Sequence, residues 1–540
     1  MGLFLGGVLM AAASSAVAAE PVTVAEASNF TRTSSYREVV ELVQAVAASS
    51  ELVTLATLTR SPEGREVPLA ILSRERVTTP AQLAATGKPA VLIMANIHAG
   101  EVEGKEATQM LIREVGSGRL AHLLDHQVVL VLPIFNTDGN EQFGRNRRDN
   151  GPELAGVRHN GQFLDLNRDF TKLESPEVRG LVRLLNQWDP VLVVDMHTTN
   201  GSYHRAPVTY TTGSNPNGSK EIADFMWDRL FPAVAARLKE AGWLSIPYGN
   251  FANAEFPQQG WVNDSIEVRY GTNYVALRNR LAILDENYSY ADFRTRVLSS
   301  FAFIKAILEF SGAHAGEILA LVRRVDAATR DGYGAQGFVP EWRLERLLDV
   351  TVPGFEHVKV ATTAEERARA PWLGEYRMRP TEVARDYTVP YLARAVPTRT
   401  VPLPAGYVLL PGFAEAGDTL LAHGIAAERL LAPAEVAGER FALEKVEISP
   451  QLFQGHATVS LTGSWERTAL QLPAGAVYVD LRQPLARLIP QLLEPSSGDG
   501  LAAWGMFNRA LVRQWTFQPG VYPVLRVERR PPVPMTVLTP

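Results

Sequence analysis

Up to about residue 312 the chain alternates short apolar runs with amphipathic segments, and this alternation constrains its fold more than any other feature. Residues 52–59 and 67–73 flank Ser61-Pro62-Glu63-Gly64, which predicts a β-hairpin and its turn. Ala90–Ala95, 128–134, 191–196 and 281–284 are apolar runs of strand length. Segments with helical spacing follow at 103–115, Pro176–Trp188, 221–241 and 291–310, with Pro176 where a first helical turn tolerates proline. Strands alternating with helices predict an α/β domain whose sheet is covered by helices.

The pattern changes beyond residue 312. A helical segment at 317–329 leads into Gly332-Tyr333-Gly334, and many short β-like runs broken by Pro and Gly follow, with some helix near 484–493. At 540 residues the chain exceeds what one hydrophobic core usually supports, so two domains are expected. The division expected is a signal segment at 1–19, a catalytic domain at 20–312, a helical connector at 313–345 and a β-rich accessory domain at 346–540. Trp504 and Trp515 are expected in the core of that last part, as large aromatics usually are.

Composition removes several chemistries. The chain has no cysteine, so disulfides, thiol catalysis and thiolate metal sites are all excluded, and any metal must be held by His, Asp or Glu. A formal charge of −5 offers no basic excess for binding nucleic acid. Residues 2–19 are apolar, too short to span a bilayer and end in small residues, which reads as a secretory signal; a secreted or periplasmic protein with no membrane span is expected.

Three of the four buried-type strands end in polar clusters, at the edge where open α/β sheets bind ligands. After the first come Asn96-Ile97-His98-Ala99-Gly100-Glu101, where a His and a Glu three apart turn toward one point. The 191–196 strand ends in Asp195-Met196-His197-Thr198-Thr199, which offers a third ligand. Imidazole nitrogens and a carboxylate oxygen suit zinc, with water completing the set. The last strand ends in Asp285-Glu286-Asn287, placing Glu286 as general base, with Glu267 as the competing carboxylate. Between the clusters lie Asn136-Thr137-Asp138-Gly139, the run Arg145-Asn146-Arg147-Arg148, and Asp165-Leu166-Asn167-Arg168-Asp169. An arginine fork among them suits the free carboxylate of a peptide C-terminus.

In this order along the chain, His98-Ala99-Gly100-Glu101, Asn136-Thr137-Asp138-Gly139, Asp165-Leu166-Asn167-Arg168, His197 and Glu286 resemble the motifs of the zinc carboxypeptidase family, over about residues 30–312. The chain departs from the family's pattern at Thr137 and Asp169. The resemblance implies a mixed sheet covered by helices, one Zn2+ per chain and a peptide or protein substrate. It implies that His98, Glu101 and His197 hold the metal, that Glu286 is the base and that Asp165 orients a ligand histidine. Asn167 and Arg168 would bind the substrate's terminal carboxylate, and Arg147 would stabilise the oxyanion. The substrate-capping tyrosine would be Tyr274, Tyr270 or Tyr288. A cell-wall peptide amidase, an N-acyl amino acid deacylase or an inactive peptide-binding protein would use the same framework.

Overall fold

A computed structural model describes residues 21–146, 148, 150–369, 374–512 and 520–539. The signal segment expected at 1–19, Arg147 and Trp515 therefore lie outside the described residues.

The apolar runs assemble one eight-stranded mixed sheet. Its spatial order is Val53–Arg60, Glu66–Leu72, Val128–Leu132, Ala90–Ala95, Leu192–Thr199, Leu281–Tyr288, Val208–Thr211 and Ser245–Pro247. The four central strands are mutually parallel; the hairpin at one edge runs antiparallel to its neighbours, and Val208–Thr211 runs antiparallel to Leu281–Tyr288 and parallel to Ser245–Pro247. Every residue of Ala90–Ala95 and Val128–Leu132 is buried, as expected for central strands covered on both faces. Helices Glu103–Gly116 and Phe293–Ala313 pack on one face with the core of Val91, Ile93, Val194, Ile283 and Ile307.

The helices form where capping allows. Ser175 accepts from Val178 N–H, and Pro176 occupies the first turn of Pro176–Trp188. The segment expected as one helix over 221–241 is continuous from Lys220 to Glu240 but widens into a π turn at Met226–Leu230, just ahead of Pro232. Proline has no N–H to give the preceding turn, which accounts for the local widening.

Beyond residue 312, helix Ala315–Gly332 is followed by strand pairing that already begins at Phe338. Phe338–Ala361 and Tyr376–Val401 form a long antiparallel hairpin, joined through Trp261–Val262 to Asn250–Phe251 in a four-stranded sheet. A separate seven-stranded sheet contains a second long hairpin, Ala434–Phe453 with His456–Leu472. The helix expected near 484–493 is confined to Leu488–Leu493. The other face of the eight-stranded sheet shares one apolar core with this C-terminal part: Leu181, Leu185 and Tyr274 belong to the same buried cluster as Leu420, Leu488 and Tyr522. Among the described residues no helix is long and apolar enough to cross a membrane.

Candidate metal centre and cleft

The carboxyl ends of the parallel strands open into one cleft. Asn96, the first residue beyond its strand, takes a left-handed φ of 66° and donates from its side chain to Ala99 O and Glu101 O, each at 3.2 Å. Asparagine tolerates that conformation better than most residues, so the chain reverses at once and returns His98 and Glu101 to the strand end. Gly100 closes the turn against a neighbouring loop: a Cβ there would stand 2.9 Å from Gly156 O. Asn136 ties the same turn to the next strand, its amide donating to Ile97 O at 3.2 Å and to Arg158 O at 3.1 Å.

His98, Glu101 and His197 each present a ligand atom, and these atoms lie within 4.8 Å of one another. His98 Nδ1 lies 3.0 Å from Glu101 Oε1, and His197 Nδ1 lies 3.0 Å from Glu101 Oε2. The two Nδ1 atoms stand 3.2 Å apart. The outer nitrogens face carboxylates: His98 Nε2 is 3.0 Å from Asp165 Oδ1, and His197 Nε2 is 2.9 Å from Asp195 Oδ2. Such carboxylates keep the protons on the outer nitrogens and leave lone pairs on the inner ones. Two inward lone pairs and a carboxylate, all buried, form a donor set that fits a divalent cation.

Burial alone would raise the pKa of Glu101, yet His98, His197 and Arg148 hold its carboxyl well below the usual range. Arg148 Nη2 bonds Glu101 Oε1, and Thr198 N–H donates to Oε2 at 3.0 Å. Asp165 behaves alike: burial opposes its charge, but His98, Arg158 and Arg168 keep it ionised. Glu286 faces the opposite influence. Loss of solvent in the cleft and the nearby Glu101 charge push it up to about 7, against the pull of His197 and Arg148.

Around this centre the cleft brings together most of the residues singled out in the sequence. Asn167, Arg168, Tyr270 and Glu286 line it beside His98, Glu101 and His197. Arg168 lies over the Tyr270 ring at 4.4 Å, and Asn167 Oδ1 accepts from Gly271 N–H at 2.8 Å. Glu267 is not among the lining residues and pairs with Arg269 at 3.3 Å. Tyr274, offered as a capping tyrosine, is fully buried beneath the cleft, where its hydroxyl meets His423 Nδ1 at 2.8 Å, so it cannot reach a substrate. Tyr288 is also buried, stacked on His204 at 3.9 Å.

The roles of two cleft residues, and of the Asp195 carboxylate behind His197, escaped the sequence reading. Arg158 bonds Asp165 Oδ2 through Nε at 2.7 Å and lies 3.6 Å from Glu101, and nothing local to Val157-Arg158-His159 marks it. Tyr248 arrives on the loop after Ser245–Pro247 with no signal of its own. Asp195 was legible, because residues two apart on a strand share a face and Asp195 precedes His197 by two.

Residues 39–249 match the family described as zinc carboxypeptidase. Carboxypeptidase D of Homo sapiens is 30% identical over 169 residues, 25% of this chain and 12% of that protein. Carboxypeptidase D of Mus musculus is 31% identical over 191 residues, 29% of this chain and 14% of that protein. The matched stretch thus spans less than a sixth of these curated relatives. Among solved structures, a metallo-carboxypeptidase from Pseudomonas aeruginosa superposes with a TM-score of 0.40 at 18% identity, covering 53% of this chain and 70% of that one.

Proposed function

We propose that the chain, whose residues 39–249 match the zinc carboxypeptidase family, is a zinc-dependent metallocarboxypeptidase releasing residues from the C-terminal ends of peptides. One observation carries this reading: a metal-type donor set, a carboxylate of raised pKa and the Asn167–Arg168 pair line the same cleft.

His98 Nδ1, His197 Nδ1 and the Glu101 carboxylate would hold the zinc, with Asp165 and Asp195 fixing the two rings. Bound there, zinc supplies a Lewis acid that polarises the scissile carbonyl and makes water a better nucleophile. The Arg168 guanidinium, set by its stacking on Tyr270, forks onto the substrate's terminal carboxylate together with the Asn167 amide. Glu286 takes the proton from the attacking water on its carboxylate and delivers it to the departing amine nitrogen as the C–N bond breaks. A carboxyl near 7 is suited to both transfers at neutral pH. Arg158 brings N–H donors to the cleft where the carbonyl oxygen gains charge, the role that the resemblance gives to Arg147. Export, resting on the 1–19 segment, belongs to the same reading.

The test is a matched pair of peptides differing only in a free or amidated C-terminus. The free peptide is expected to react with kcat/KM at least about 100-fold higher, the scale of losing a charge-paired contact. Equal turnover of both would replace the carboxypeptidase reading with an amidase.

A further inference from the structure

The long hairpin of the C-terminal part ends in a two-residue turn that reaches the metal centre's supporting shell. Phe453 and His456 are the last paired residues, and Gln454 and Gly455 between them take φ of 52° and 80°. Gln454 Oε1 accepts the Asp165 backbone N–H at 2.8 Å. Asp165 in turn holds His98 Nε2 through Oδ1, and the same oxygen accepts from Asn167 N–H at 3.0 Å. One side chain of the C-terminal part therefore fixes the backbone of the residue that joins a ligand histidine to the carboxylate-binding pair. Resting on the carboxypeptidase reading for those two roles, we infer that Gln454 is a positioning residue of the active site.

The residue choice at the turn supports this. Two-residue turns with both central residues left-handed favour Asn-Gly, because asparagine bears that conformation at lower cost than longer side chains do. Asparagine is one methylene shorter than glutamine. Glutamine gives up turn comfort and gains reach toward Asp165. The arm is held firmly enough for the contact to matter. His456 Nε2 meets Glu174 Oε1 at 2.7 Å, and the Phe453 ring stacks on Trp504 at 5.9 Å. Lys172 Nζ sits 4.1 Å above the Trp504 ring, and Asp499 pairs with Arg269 at 2.8 Å. Trp504 is thus buried as expected for a core residue, at the seam between the two parts.

The test uses the full chain in three forms: wild type, Gln454→Ala and His456→Ala. Gln454→Ala keeps the Cβ, so the turn's backbone cost is unchanged while the acceptor is lost. His456→Ala loosens the same turn from Glu174 without touching Asp165. Amide hydrogen exchange over residues 164–168 is expected to quicken at least about threefold in Gln454→Ala alone. Zinc affinity by chelator competition is expected to fall roughly 3- to 10-fold in the same variant, less than the 10- to 100-fold typical of a group bonded directly to a ligand. Unchanged exchange in Gln454→Ala, or equal changes in both variants, would overturn the inference and leave Gln454 a docking contact. A wild type that binds no zinc would overturn the carboxypeptidase reading alone, because the exchange comparison needs no metal.

Discussion

Glu286 and His197 are register partners on adjacent parallel strands, Leu281–Tyr288 and Leu192–Thr199. Paired residues of neighbouring strands point to the same face of a sheet, so the proposed base and a proposed metal ligand are set side by side by backbone hydrogen bonds. Thr209 Oγ1 adds a bond to Glu286 O at 2.7 Å from the strand on the far side. The spacing between Glu286 and His197 is thereby set by the sheet register.

The carboxylates behind the histidines should control metal affinity. Asp165→Asn and Asp195→Asn each keep the size of the side chain but weaken the hold on the outer imidazole nitrogen. Each is expected to weaken zinc binding about 10- to 100-fold in a chelator competition. Unchanged affinity in both would mean that the rings are fixed by packing instead.

In the proposed reading, substrate anchoring depends on the planar fork of Arg168, which lies over Tyr270. Arg168→Lys keeps the charge and loses the fork and the stacking. KM for a free-ended peptide should rise about tenfold or more with kcat changed much less, as for a contact made equally in ground and transition states. A fall confined to kcat would move Arg168 into the chemistry.

A buried acid away from the cleft gives a pH-dependent stability. Glu177, at the start of Pro176–Trp188, is pushed up to about 7 by burial, with Asp138 and Asp169 adding to the effect and Asn160 opposing it. An acid raised on folding binds its proton more tightly in the folded state. Its stabilisation is complete below the unfolded value of 4.5 and is lost as pH rises through 7. The loss amounts to about 3 kcal/mol at most, from 1.36 kcal/mol per pKa unit. Glu177→Gln should therefore raise Tm at pH 8 relative to wild type and leave it nearly unchanged at pH 4. An equal shift at both values would exclude the titration of Glu177 as the cause.

The elements most legible in the sequence are those whose signal is local to a few residues. The runs Ala90–Ala95 and 281–284 announce buried strands because both faces are apolar, and His98 and Glu101 are readable as a pair because they stand three positions apart. Helix Glu103–Gly116 shows where local reading ends. Its spacing predicts one polar face, yet Lys105 and Glu106 are wholly buried. Lys105 Nζ bonds Asn140 Oδ1, and Glu106 accepts from Thr33 and Ser34 more than 70 residues earlier. Those partners satisfy the charges, and no window around residue 105 contains them. Gln454 is the extreme case, 289 residues from the backbone amide it meets.

The central claim is tested most directly by measuring zinc content and peptide hydrolysis together for wild type and Glu286→Gln. About one zinc per chain is expected in both, with hydrolysis by the variant reduced at least about 100-fold, the scale of losing a general base. A variant with full zinc and undiminished hydrolysis, or a wild type that hydrolyses peptides without zinc, would contradict the account.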